Sequence, residues 1–291
     1  SVDWESIHGG VIADMTDAYM IYSEDLTGQY AYYDGSVNTG SGGATQYIPH
    51  SQAFWVHSTG ATNLRISESD KDATQDPTFL KSGGNEFDVL RIKLKSSINQ
   101  YSDEAIIVAD PMFSSGYEDN DLIKFFTHNP DYVPSLYTLA SNNYQLAFNK
   151  IKGNSITIPF EAKSGNLVQG QYELEFSQLN NFIFGSCLTL EDLHTGNVVN
   201  LRSDSIYQFS TDTNAISPRF LLHVKTDYNI DYTDNSCYQK GDASIFIEGS
   251  GISNFTFNIE DDQGVIVNSA NAINDSIVFN GLNAGTYNVT T

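Results

Sequence analysis

The chain has 291 residues, enough for two or three small β domains. Its formal charge of −22 comes from 36 acidic against 14 basic side chains, which excludes binding to nucleic-acid phosphates and leaves many carboxylates for divalent cations. No apolar run approaches the roughly 20 residues that span a bilayer, and Tyr and Phe are abundant at 17 each.

In chain order, residues 1–82 carry strand-like runs at Tyr19 to Tyr22, Tyr30 to Tyr33, Ala53 to His57 and Asn63 to Ile66. Thr27-Gly28 marks a hairpin turn between the first two, and the Gly-rich stretch 38–43 is a loop. Residues 83–226 open on Asp88 to Lys95, where Leu90, Ile92 and Leu94 alternate with Val89, Arg91, Lys93 and Lys95. That is a strand with one face in and one face out. Further strands are expected at Ala105 to Ala109, Tyr144 to Phe148, Ser155 to Phe160, Gly170 to Phe176, Cys187 to Glu191 and Arg219 to Val224, with one short helix over Asp119 to Phe126. Leu190 to Leu201 reads as a hairpin, since Gly196 and Asn197 tolerate the positive φ of a tight turn.

Residues 227–291 alternate at Ala243 to Ile247, Phe255 to Ile259, Val265 to Val267 and Ser276 to Phe279, and end on a turn before a strand whose Tyr287 and Val289 share a face. The fold expected is all-β, with tandem β-sandwich modules, jelly-roll-like and Ig-like.

Catalytic signatures are sparse. The six histidines show no metal-binding spacing, and no nucleophile elbow occurs. His57 and His223 lie on strand patterns and read as satisfied residues rather than ligands. Cys187 sits in an apolar run that reads as buried strand, and Cys187 and Cys237 are expected unpaired. Three acidic loops offer calcium ligands: Asp70, Asp72 and Asp76; Glu118, Asp119 and Asp121; and Asp227, Asp231 and Asp234. The last set, between the second and third modules, is the preferred calcium site, because a cation there stiffens a hinge. Trp4, Trp55 and the tyrosines 30, 32 and 33 suggest a sugar-stacking surface, although Trp55 reads as core and Tyr32 and Tyr33 as one in, one out.

The closing string GLNAGTYNVTT resembles the end of the repeat in gliding adhesins and other surface proteins of Bacteroidota. In that family an Asp-x-x-Gly-Cys follows, which implies a partner for Cys237 beyond Thr291 and a third module truncated at its C-terminus. The ordered blocks SVDWES, LTGQYAYYDG, YIPHSQAFWV, VLRIKLKS, DEAIIVAD, PSLYTL, LEDLHTGNVVNL, YQFS and RFLLHV are similar to a long C-terminal region of Bacteroidota proteins exported by the type 9 secretion system. There the first block follows Asn-Pro-Tyr-Pro, so the first module is expected to be truncated at its N-terminus. The resemblance implies an extracellular, outer-surface location, the type 9 secretion machinery as partner during export, and a part in cell adhesion, with gliding motility as an expectation. It implies no activity. The resulting reading is a non-enzymatic adhesin or stalk fragment whose partners are surface glycans or other surface proteins. The second reading is an accessory, carbohydrate-binding region of a large secreted enzyme whose catalytic domain lies outside the chain.

Overall fold

A computed structural model describes residues 1–8, 12–23, 28–72, 87–110, 112–114, 116–152, 156–182, 187–211, 217–225, 228–237, 240–249, 256–273 and 276–290. Strand makes up 52% and the one α-helix among the described residues, Trp4–His8, is short, so the chain is mostly β. No helix among the described residues is long and apolar enough to cross a membrane. Both expected module boundaries, at 82 and 226, lie outside the described residues.

The centre is one mixed sheet of eleven strands that curls into a half-barrel. From one end it runs Asn197–Asn200, Cys187–Asp192, Phe220–Lys225, Ile156–Lys163, Ser135–Leu139, Gln145–Ile151, Ser102–Ala109, Asp88–Ser96, Gln171–Ser177 and Ile206–Ser210. Leu122–Ile123 adds to Gln145–Ile151 from outside this path. The expectation of a two-sheet sandwich for this region is therefore corrected. Alternation says which side chains share a face but not which strands are hydrogen-bonded, and here the ladders run unbroken from end to end.

One face holds the main core, including Leu90, Ile92, Leu94, Phe160, Leu174, Phe176, Leu190, Phe220 and Leu222. The other face of the central strands is covered too. Val89, Ile106, Val108 and Phe148 pack against Ala18, Met20 and Tyr32 of a small four-stranded sheet. This double burial explains why 105–109 is continuously apolar, and why the parallel pair, Phe148 opposite Ile106, sits there. It also corrects the one-face reading of Asp88–Ser96: Val89 is buried under the small sheet.

The two ends of the large sheet meet through side chains. Arg219 Nε and Nη2 donate to Asp192 Oδ1 and Oδ2 at 3.0 and 2.8 Å, and Nη1 donates to the Ser210 carbonyl at 2.8 Å. Tyr207 donates its hydroxyl to Asp192 Oδ2 at 2.9 Å. Asp192 belongs to one end of the sheet, whereas Tyr207 and Ser210 belong to the other. The guanidinium lies 4.6 Å from the ring centre of Phe209 and 5.1 Å from that of Phe220.

In the small sheet Met15–Ser23 pairs with Gln29–Asp34, which is flanked by Thr39–Gly40, while Trp55–Ser58 forms the other edge. Gly28 (φ +69°) leads into the second strand, as expected of the turn; residues 24–27 lie outside the described ones. Tyr32 and Tyr33 point to opposite faces, yet both are buried, because helix Trp4–His8 and Phe54 cover the second face. Asp3 caps that helix by accepting Glu5 N–H at 3.1 Å.

Residues 228–290 form two three-stranded antiparallel sheets, Asn229–Thr233, Ala243–Glu248 and Ser276–Leu282 in one, and Ile266–Asn271, Thr256–Glu260 and Asn288–Thr290 in the other. Ile247, Phe257, Ile259 and Phe279 are buried between them, with Tyr287 and Val289 packed alongside.

The hairpin of Cys187–Asp192 with Asn197–Asn200 forms as read, with Gly196 at φ +74°. Other readings are corrected. Residues 63–66 form no strand; Leu64 packs under the small sheet from a loop. Residues 119–126 form no helix, because the Asp121 carboxylate takes the backbone N–H groups of Glu118 and Lys150 and holds a turn. Cys187 is half-buried, Cys237 is exposed, and both thiols are free.

Candidate functional site

The most ligand-like surface gathers rings from distant parts of the chain. On antiparallel strands, directly opposed residues share a face, so Tyr22 opposite Tyr30 and Met20 opposite both Tyr32 and Trp55 form one row. Met20 and Tyr32 go under the large sheet; Tyr22, Tyr30 and Trp55 lie at the open end of the row. Trp55, expected in the core, is 42% exposed because its strand is the sheet edge. Trp4 is the buried tryptophan.

The segment after Ile123 completes the corner. Lys124 Nζ reaches both oxygens of the buried Asp103 at 2.6 Å, and Phe125 N–H donates to the Tyr32 hydroxyl at 2.6 Å. These anchors set Phe125 and His128 against Tyr30. Around its ring, Tyr22 lies at 5.3 Å, Trp55 at 5.4 Å, Phe125 at 5.6 Å and His128 at 6.1 Å, all steeply inclined. His128 also lies 4.2 Å from Tyr22 and is exposed. The rings form a corner with one outward indole rather than a flat platform. Such a surface offers apolar faces to a sugar ring or an aromatic side chain.

A second feature is a cleft of about 490 Å³ beside helix Trp4–His8, mostly apolar in surface but bordered by His8, Asp14, Asp17, Asp34, Asn120 and Lys150. Asp17 accepts from Trp4 Nε1 at 2.9 Å and lies 3.1 Å from His8 Nδ1, while the His8 ring stacks on Trp4. Burial pushes the Asp17 carboxyl up, against the pull of His8 and Trp4. Lys150 Nζ donates to Ser36 Oγ and the Asn120 carbonyl at 2.8 and 2.7 Å. It also lies 2.7 Å from Asp34 Oδ2, a charge contact outside hydrogen-bonding angles. A Cβ on Gly35 would lie 2.5 Å from Asp17 Oδ1, so a larger residue there would have to displace that carboxylate. These bonds dock the helix and the small sheet.

One line of side chains has the order of a hydrolytic triad. Thr157 Oγ1 lies 3.0 Å from His223 Nδ1, and His223 Nε2 lies 2.8 Å from Glu191 Oε2. The three come from neighbouring strands and are partly exposed, and neither described cleft reaches them. They read as cross-strand hydrogen bonds, which is the satisfied role expected for His223.

The acidic loops separate into different roles. Asp227 and Asp76 lie outside the described residues. Asp231 is on the exposed strand Asn229–Thr233, where its carboxylate takes Tyr232 N–H at 2.8 Å, and Asp234 is exposed just beyond. Asp70 accepts Ser67 N–H and caps a short turn of 3₁₀ helix. No group of three or more metal-ligating side chains gathers among the described residues.

Asp121 is buried and structural. Burial raises its carboxyl to about 6, against the two backbone N–H donors that favour the charge. A raised carboxyl stabilises the fold most below its unfolded value, near 4, and this contribution is lost as pH rises through about 6. Asp121→Asn is expected to cost about 1–3 kcal/mol by leaving one N–H without an acceptor, and to flatten this part of the pH profile. Urea melts between pH 4 and 7 check both.

Sequence reasoning missed His128, Tyr22 and Phe125 as neighbours of Tyr30, because no local pattern links strand 15–23 to a loop a hundred residues on. No family model, no curated protein and no solved structure matches this chain.

Proposed function

We propose that this chain is a non-enzymatic, adhesive part of a larger extracellular surface protein, exported with the type 9 secretion machinery. Its aromatic corner is the contact surface for cell-surface glycans. The observation that carries the reading is the corner itself: exposed Trp55 and His128 backed by Tyr22, Tyr30 and Phe125, anchored by the buried Lys124–Asp103 pair. Rings held by a stiff scaffold lose little entropy on binding, which suits recognition of a weakly hydrated sugar face. The resemblance of the ordered sequence blocks to exported Bacteroidota proteins supports the location. On this reading the half-barrel is the head, and the two small sheets at residues 228–290 are an Ig-like module that continues the stalk. The main apolar cluster runs from the half-barrel into those sheets. Such continuity resists bending.

Binding of the full chain to an array of neutral and acidic glycans tests this. Trp55→Ala is expected to weaken the best ligand at least about tenfold while lowering Tm only modestly and leaving the fold intact, since the indole is partly exposed at a sheet edge. An array with no ligand, or one whose binding survives Trp55→Ala, overturns the glycan reading.

A further inference from the structure

The cleft beside helix Trp4–His8 presents acceptors without donors. His8 borders it at 6% exposed, and its Nε2 has no hydrogen-bond partner among the described residues. Its Nδ1 lies 3.1 Å from Asp17 Oδ1 and turns its proton there, so in the neutral imidazole Nε2 is a lone-pair acceptor. Asp17 Oδ1 also takes the Trp4 indole N–H, whereas Oδ2 has no donor among the described residues. The Asp17 side chain is 27% exposed and borders the same cleft. Buried polar groups are nearly always paired, so an open ring nitrogen at the wall of a cavity points to a donor brought by an occupant.

The charges of the lining ask for a cation. Asp14, Asp17, Asp34 and Asp119 border the cleft, and Lys150 is its one ammonium. That ammonium is committed, since Nζ meets Asp34 Oδ2, Ser36 Oγ and the Asn120 carbonyl. It offsets Asp34 and leaves Asp14, Asp17 and Asp119 without a lysine or arginine partner among the described residues. An anionic occupant would meet those three carboxylates. A bare divalent ion does not match either, because Ile12, Met15 and Leu122 make much of the wall hydrocarbon. No group of three or more metal-ligating side chains gathers there among the described residues.

The two open acceptors need two donors. Nδ1 and Nε2 point to opposite sides of an imidazole, so a group bonded to Asp17 cannot also serve His8 Nε2. We propose that the cleft takes a short aliphatic diamine, with one ammonium on the Asp17 carboxylate, the second amino group at His8 Nε2, and the stem against Ile12, Met15 and Leu122. Amino groups supply donors where the lining supplies acceptors, and a double positive charge answers the three carboxylates. The cleft volume of about 490 Å³ is that of a small-molecule site. This site shares no residue with the aromatic corner and stands whether or not that corner binds glycans.

The test follows the methyl signals of labelled methionines in the full chain, since Met15 lines the cleft while Met20 and Met112 do not. Titrated 1,5-diaminopentane is expected to shift Met15 saturably, with n-pentylamine at least about tenfold weaker and 1,5-pentanediol without effect. Asp17→Asn is expected to weaken the diamine at least about tenfold. It keeps Oδ1 as acceptor for the Trp4 indole, and an unchanged Met20 signal reports an intact fold. Should that signal move, Asp14→Asn takes its place, at an exposed position of φ +61° that Asn tolerates, and is expected to weaken binding about threefold. Equal affinity for pentylamine overturns the proposal, as does the absence of a Met15 shift or binding that survives both substitutions. A shift at the exposed Met112 as large as that at Met15 identifies general attraction to an acidic surface and overturns it too.

Discussion

Asp192→Ala is expected to lower the free energy of unfolding by roughly 3–5 kcal/mol, the usual cost of leaving one member of a buried ion pair uncompensated. The cost is high here because Arg219 is 3% exposed and would keep its charge between Phe209 and Phe220, bonded to the Ser210 carbonyl and with the Glu161 carboxylate as a nearby counter-charge that compensates it in part. Tyr207 would lose its acceptor as well. Since these bonds join the two ends of the curled sheet, the variant should loosen Ile206–Ser210 first, which amide exchange would register. Burial alone would raise the Asp192 carboxyl, but bonds from Arg219, Tyr207 and the His194 N–H hold it below the usual carboxylate range. Its contribution is therefore complete above the unfolded value near 4 and is lost as pH falls through the lowered folded value. The gap between native chain and variant should narrow in acid; a gap constant down to pH 2 would contradict this account.

Lys150→Met is expected to cost a similar roughly 3–5 kcal/mol, but to act on a different joint. Lys150 lies on the large sheet, while Asp34 and Ser36 belong to the small sheet and the turn after it. Its ammonium is one charged link between them, beside Arg91 on the Gly40 carbonyl and Glu104 on the Gly42 N–H, and both side chains of the Lys150–Asp34 pair are 2% exposed. Without it the Asp34 carboxylate stays buried with the Ser36 N–H and hydroxyl as its donors among the described residues. Proteolysis should then cut within residues 12–72 before the half-barrel unfolds. Adding Asp34→Asn should recover part of the loss, because a neutral amide is cheaper to bury than a lone carboxylate. If the double variant is no better than the single one, the cost is packing rather than charge.

Much of the strand content follows from period-2 alternation and turn chemistry. Gln171–Ser177 and Phe220–Lys225 bury every second residue as their patterns demand, and Gly196 adopts the left-handed conformation its hairpin needs. Such features are local, because pleat and turn depend on neighbours a few residues away. The net charge of −22 is likewise a property of composition alone. Tertiary structure decided the rest. Alternation is blind to strand partners, so one curled sheet and two stacked ones read alike until the Asp192–Arg219 clasp and the Phe148–Ile106 pairing are seen. Trp55 read as core because its neighbours are apolar, but a tryptophan's exposure depends on whether its strand is central or at an edge. Asp121 looked like a calcium ligand in an acidic loop until Lys150, far along the chain, brought its backbone N–H to the carboxylate. The aromatic corner has the same origin: contacts between Tyr22, Tyr30, Trp55 and His128 are set by which sheets pack together, and packing is a property of the whole chain.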